Sequence, residues 1–438
     1  MNVASGTLIK DGVVLSMLDD VQEVAAADVL VRDGLIVEVA PSIDAPGADV
    51  IDARGKLVMP GLVDTHLHLW QTPLRGMTAD LWAREYFHTV HPMSEYYTPE
   101  DMYWATYAGA LELLSHGVTQ VFDYCHSVNS PEHADASIRG LRDAGIRATY
   151  GVGLFERSGA TYVDRAHRLE DLTRLAESVS DSHLVDVALA LDHAYDGVAV
   201  AQAREQNLGI SVHGNPVGLL QEFADADALG ADVLWVHGNF SSDAELEALA
   251  ESGGYLSLSP DIEMGMGKPV AIFDRAVRAG IPITLSVDVV SYTAADLLTQ
   301  MHLAYSLHRV LDGEKERSRG HVPPHRAHDL PLVTTRDIVT WATLNGSAAL
   351  GADTTGIVAG APADLLLIDT EPFGLSMGDP AGHIVLQTTS RDISSVMVGG
   401  RIRFQRGELV GVDTTELSVE LRQTRERLLK TRDSGLTH

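Results

Sequence analysis

His66 and His68 stand two residues apart at the end of a short apolar run, in Pro60-Gly61-Leu62-Val63-Asp64-Thr65-His66-Leu67-His68. Side chains of a β-strand alternate with period 2, so an i, i+2 pair faces one way. Two imidazoles on one face are what adjacent ligands of a single metal ion require, and Pro60-Gly61 marks the turn that feeds the strand. The plainer alternative is two histidines that alternate without a shared ion. It loses ground because further histidines and aspartates recur at later strand ends: Asp123 and His126, Asp192 and His193, His213, His237 and Asp288. Imidazoles with one carboxylate suit Zn²⁺ or Fe²⁺ with a water in an open position, and such binding lowers the pKa of that water towards neutrality.

These side chains meet only if the strands that carry them share one end. β-rich runs fall at 63–68, 120–124, 148–152, 185–191, 210–213, 233–237, 255–259 and 283–288, with helical patterns between them at 104–116, 135–144, 244–251 and 270–279. Alternating strand and helix predicts a parallel α/β fold, and eight such units favour a (β/α)8 TIM-type barrel, whose chemistry sits at one mouth. An open doubly wound sheet is the alternative; no Gly-x-Gly-x-x-Gly opens a helix after the first strand to support it.

Both ends of the chain read differently. Short strands at 7–10, 13–15, 28–31 and 35–39 are separated by Asp11-Gly12 and Asp33-Gly34, each a hairpin signal. The same style returns at 363–369, 395–398 and 401–404. The expected organisation is a small β-sandwich from 1–57 and 356–412, a barrel over 58–355, and a charged C-terminal helix within 413–438.

Composition bounds the function. Apolar residues make up 45% and charged residues 21% of 438, as in a soluble globular enzyme. One cysteine, Cys125, leaves no disulfide framework or Cys-rich zinc site, and a buried neutral thiol is its expected state. A net charge of −29 disfavours nucleic acid and anionic membranes as partners and suits a neutral or cationic small molecule. No basic leader followed by an apolar stretch opens the sequence, so the expected location is cytoplasmic.

The run from Pro60 to His68, with Gln71-Thr72-Pro73-Leu74-Arg75-Gly76 after it, resembles the amidohydrolase superfamily. The branch it is most similar to holds cytosine and guanine deaminases and triazine (atrazine-type) hydrolases. Further matches are Ser115-His116-Gly117-Val118-Thr119, Leu285-Ser286-Val287-Asp288, Trp341-Ala342-Thr343-Leu344-Asn345-Gly346 and Gly360-Ala361-Pro362-Ala363-Asp364-Leu365. The resemblance implies that His66, His68, His213 and Asp288 bind one divalent metal, zinc first and iron second. It implies that Asp288 shuttles a proton from the attacking water, and that His237 orients the water or polarises the substrate. Members with two metals bridge them with a fourth-strand lysine, and 185–193 contains none. Relatives are often oligomers, so a homo-oligomer is expected.

One position departs from the branch. Its deaminases carry a proton-donating glutamate three residues after the fifth-strand histidine, and here Pro216 stands there. Proline cannot transfer a proton, so another group supplies it or the leaving group needs less acid. Two replacements are considered, each with a bland counterpart. His126 is either a group at the mouth or a histidine satisfied in a loop; Glu263 is either a substrate contact or a solvated loop carboxylate. The loop 69–101, rich in aromatics such as Trp70, Trp82, Tyr86 and Phe87, either lines a flat substrate site or packs onto the barrel. The predicted activity is hydrolytic deamination of a small nitrogen-rich molecule. Hydrolysis of an amide, carbamate or urea bond, or displacement of a ring substituent such as halide, is the alternative. A metal-assisted lyase, isomerase or cyclase, or a binding protein without activity, represents another class.

Overall fold

A computed structural model of the chain describes residues 6–17, 24–154, 165–324, 332–352, 354–371 and 378–435. The segment 312–331 is polar and rich in His, Arg and Pro, a composition that predicts a loop; its His325 and His328 lie outside the described residues. The first part of that stretch is not loop: the helix Leu297–Ser318 runs through Asp312.

The expected eight strands are present: Leu62–Leu67, Val118–Cys125, Arg147–Gly153, Val185–Asp192, Ile210–His213, Val233–Val236, Tyr255–Leu258 and Ile283–Leu285. They hydrogen-bond in chain order as one parallel sheet. Their residues are almost all buried, because a parallel strand is covered on both faces. Several intervening helices start at polar caps. Ser242 and Glu245 form a capping box at Asp243–Ser252, and Thr98 and Asp101 form one at Pro99–Ser115.

The eighth strand closes on the first through side chains more than through backbone. One bridge joins Leu67 to Asp288, with the Asp288 N–H donating to His66 O at 2.9 Å and the His68 N–H to Asp288 O at 3.0 Å. Lower in the seam, Val63 N–H donates to Ala342 O (2.8 Å) and Asn345 Nδ2 to Ile283 O (2.9 Å). Asp64, fully buried, accepts from the N–H groups of His66 (3.2 Å) and Val287 (3.2 Å). Behind them lies a chain of hydroxyls. Thr65 meets Ser257 at 2.8 Å and Thr284 at 2.7 Å, and Ser286 links Ser257 (3.0 Å) to Ser259 (2.7 Å).

Strands from both ends of the chain build a single nine-stranded sheet. Lys56–Pro60 pairs antiparallel with Leu365–Asp369, joining the two contributions. The sheet has an apolar core of its own, which includes Ile9, Val29, Val31, Val58, Leu365, Leu367 and Met397. Asp33-Gly34 is a hairpin turn as expected, but Asp11-Gly12 is not. It is a bulge inside the unbroken strand Thr7–Val14, with Asp11 at φ 61°. The buried Asp28 carboxylate stabilises it by accepting from the N–H groups of Asp11 and Ile43, each at 2.9 Å. The kink lets one strand pair first with Asp49–Asp52 and then with Lys56–Pro60. The helix Thr414–Gly435 packs on the barrel side, where Arg425 Nη1 donates to Arg75 O at 2.8 Å. Among the described residues no helix is long and apolar enough to cross a membrane.

Candidate metal centre and active site

Asp64, His66 and His68 alternate along the first strand and its end, and the two rings lie 4.7 Å apart and nearly perpendicular. The His68 Nδ1–H donates to Tyr124 O at 2.7 Å. A carbonyl can only accept, so this bond fixes the tautomer and leaves the His68 Nε2 lone pair pointing inward. Its distance to Asp288 Oδ1 is 3.3 Å.

His213 ends the fifth strand and is fixed in the same way: its Nδ1 lies 2.8 Å from Asp192 Oδ1, and its Nε2 lies 3.0 Å from His66 Nε2. The residue after it must be small, since a Cβ on Gly214 would lie 1.9 Å from Trp235 Nε1. His66 Nε2 is 3.4 Å from Asp288 Oδ1, and His237 Nε2 is 3.5 Å from Asp288 Oδ2. Ligand atoms of His66, His68 and His213 lie within 4.8 Å of one another, as do those of His66, His237 and Asp288.

Bare imidazole nitrogens facing a carboxylate in a buried space are left short of a positive partner. A divalent cation fits that need. Burial keeps the rings in the neutral, ligating form: His66 and His237 are each pushed down to about 3, and His213 well below the usual histidine range. His237 and Asp288 take left-handed backbone angles, φ 69° and 68°, although neither is glycine. Such strain in buried residues gathers where a site requires it.

The remaining sequence candidates fall in separate places. His126 is buried and stacks on His213, with centroids 5.4 Å apart and planes 7° from parallel. Glu263 is not a solvated carboxylate. It is fully buried behind His237, with Oε1 3.3 Å from Nδ1, and burial raises its carboxyl to about 7. Asp123 belongs to neither group of ligand atoms. Its Oδ1 accepts the Leu69 N–H at 3.1 Å, fixing the exit from the first strand, and burial pushes it up to about 7. His193 stands over His213 with centroids 5.7 Å apart. Pro216 lies beyond the fifth strand and offers no proton. The loop after the first strand divides its aromatics: Trp70 and Tyr97 pack inward, Trp82 is exposed, and Tyr86 and Phe87 line the mouth with His91. Cys125 is buried, and its thiol is pushed up to about 12, matching an inert thiol.

Sequence reasoning missed Lys268 and undervalued Asp192 and Asp64. Asp64 had a visible signal, being in phase with His66 and His68. Lys268 had a weaker one, a lysine following Gly265-Met266-Gly267 after the seventh strand.

The profile of the amidohydrolase family matches residues 57–403. The chain belongs to the amidohydrolase family. Among curated relatives, the 5-methylthioadenosine/S-adenosylhomocysteine deaminase of Pyrococcus abyssi is 26% identical, over 94% of this chain and 96% of its own. The 5'-deoxyadenosine deaminase of Methanosarcina mazei is 26% identical, over 96% and 98%. An adenosine deaminase from Xanthomonas campestris with bound zinc superposes with a TM-score of 0.85, at 20% identity over 97% of this chain and 99% of that one. An atrazine chlorohydrolase variant from Arthrobacter aurescens, complexed with zinc and atraton, gives 0.82, at 20% identity over 96% and 100%. This amidohydrolase is therefore a hydrolase with a TIM-type barrel and a metal-ligating His/Asp cluster at the mouth.

Proposed function

We propose that this amidohydrolase deaminates a small, neutral, nitrogen-rich heterocycle with one divalent metal, zinc before iron. His66, His68, His213 and Asp288 hold the ion. The carrying observation is the convergence of three Nε2 atoms and a carboxylate, with two of the rings anchored through their other nitrogen. A divalent ion bound there supplies a Lewis acid that makes a water molecule nucleophilic at neutral pH.

The chain's own residues do the rest. Asp288 accepts the water proton at its carboxylate and hands it on. His237 presents Nε2 to the reacting atoms while Glu263 holds Nδ1. Asp192 keeps His213 in its ligating tautomer. His126 and His193 flank His213 and shape the mouth. The barrel, 58–355, carries this chemistry, and the terminal sheet and the last helix brace it in a cytoplasmic homo-oligomer.

The neutral substrate replaces the broader expectation of a neutral or cationic one, because the Lys268 ammonium lines the same cavity as Asp288. A second reading, displacement of a ring halide, draws on Pro216, since chloride leaves without a proton. Metal analysis by plasma mass spectrometry on the wild type and His213→Ala tests the site: one metal per chain, lost in the variant, is expected. Ammonia release from 5'-methylthioadenosine and 5'-deoxyadenosine then tests the reaction. Two metals per chain, or chloride release from a chlorotriazine without ammonia from either nucleoside, sinks the lead reading.

A further inference from the structure

The departure at Pro216 leaves the deaminase reading without a proton donor for the leaving amine, and a cation stands elsewhere in the cavity. Lys268 follows the seventh strand and its short helix Pro260–Gly265, where its own N–H donates to Glu263 O at 2.8 Å. Its side chain lines the cavity together with His68, His126, His213, His237 and Asp288. It is half-buried, and among the described residues its ammonium makes no hydrogen bond or ion pair. A surface lysine without a partner is ordinary, whereas a partly desolvated one beside a ligand cavity lacks an acceptor that a ligand can bring. The other four lysines, Lys10, Lys56, Lys315 and Lys430, lie outside the cavity lining.

Resting on the deaminase reading, we propose that Lys268 protonates the departing amine, in the role that the glutamate absent at Pro216 has in related deaminases. The balance is as follows. Water oxygen bonds to the ring carbon, and its first proton passes through Asp288 to the adjacent ring nitrogen. The carbon–amine bond breaks with its electron pair on nitrogen, and Nζ of Lys268 supplies the proton that turns the amine into ammonia. The hydroxyl on the ring carbon becomes a carbonyl, and its proton returns Lys268 to the ammonium. Burial lowers the ammonium below the ordinary lysine range, while Asp288 and Glu263 oppose that shift, so the proton is more easily given than from a surface lysine.

Leaving groups separate this role from a structural one. 5'-Deoxyadenosine and its 6-chloro analogue share a ring, but only the amine must be protonated to leave. In Lys268→Met, ammonia release should fall by roughly 10²–10⁴-fold and chloride release by less than about tenfold. Lys268→Arg keeps the charge but not the readily lost proton, and should not restore ammonia release. Equal losses for both leaving groups, no loss, or rescue by arginine would overturn the proposal while leaving the deaminase reading intact. If the wild type releases neither product, the deaminase reading falls and the proposal falls with it. In an active wild type, competitive amine labelling with mass spectrometry is a second check on Lys268. Labelling ahead of the four other lysines at neutral pH supports a poised donor. Labelling with them or after them rejects it.

Discussion

Between the second and fourth strands, backbone ladders run six residue pairs at a time without interruption, whereas the eighth strand meets the first through the single bridge of Leu67 with Asp288. The interior differs in parallel. On the ladder side it is Phe122, Tyr124, Ala188, Ala190 and Leu234; on the seam side it is the linked hydroxyls of Thr65, Ser257, Thr284, Ser286 and Ser259. A ladder satisfies its own backbone, so its side chains are free to be apolar. At the seam the side chains replace missing backbone bonds, and Asp288 and His68 take part in closure as well as in the proposed metal site. The proposed metal site and barrel closure are thus mechanically joined at the seam.

The largest effect expected from breaking this joint is chemical. Asp288→Asn removes the proposed proton carrier but keeps the backbone bonds to His66 and His68, so activity should drop by roughly 10²–10⁴-fold with an unchanged far-UV spectrum. Next comes the contrast in stability. On the ladder side, Leu189→Ala should cost about 2–5 kcal/mol in denaturant unfolding and leave metal content alone. On the seam side, Asp64→Ala strands two buried N–H groups, at about 1–3 kcal/mol each, and should weaken metal binding too. Equal metal affinity in both variants would dissolve the distinction.

A smaller shift is expected from Asp192→Ala, which frees the His213 ring and should weaken metal binding by roughly 10–100-fold in a competition titration. The smallest lies away from the seam. His133, bonded to Ser130 Oγ and Tyr97 O at 2.8 Å each, is held below the ordinary value of 6.5 by burial. Protonation therefore favours the unfolded chain. Its contribution is fully present above 6.5 and lost as pH falls through the folded value, so His133→Gln should flatten the acid side of the stability profile. A wild-type profile identical to that of the variant between pH 5 and 7 would remove His133 from the account.

The parts of this molecule that were legible in the sequence are those with a local period. Alternation gave the strands, including 210–213 to the residue, and helix boundaries fell within a few positions of Asp243–Ser252 and Ile272–Ala279. The histidines at strand ends were legible because one topology brings all such ends together. Partnerships across the barrel were not. Nothing local distinguishes Glu263 behind His237 from a solvated carboxylate, or Asp192 beneath His213 from a loop cap. Asp11-Gly12 misled for a related reason: the same left-handed residue serves a hairpin or a bulge, and the buried Asp28 carboxylate, 17 positions on, decides between them.

The pairing of Lys56–Pro60 with Leu365–Asp369 has a consequence for synthesis on the ribosome. Lys56 meets Asp369 across 313 positions, so the early strand is translated long before its neighbour exists. At ordinary elongation rates that interval is roughly 15–60 s. Throughout it, the strand presents an unpaired edge next to the segment bearing His66 and His68, and nascent chains are open to mispairing there. The last C-terminal strands therefore act as a latch on material made near the start, and stalling before residue 365 should leave Lys56–Pro60 without its antiparallel neighbour, just ahead of the barrel's first strand.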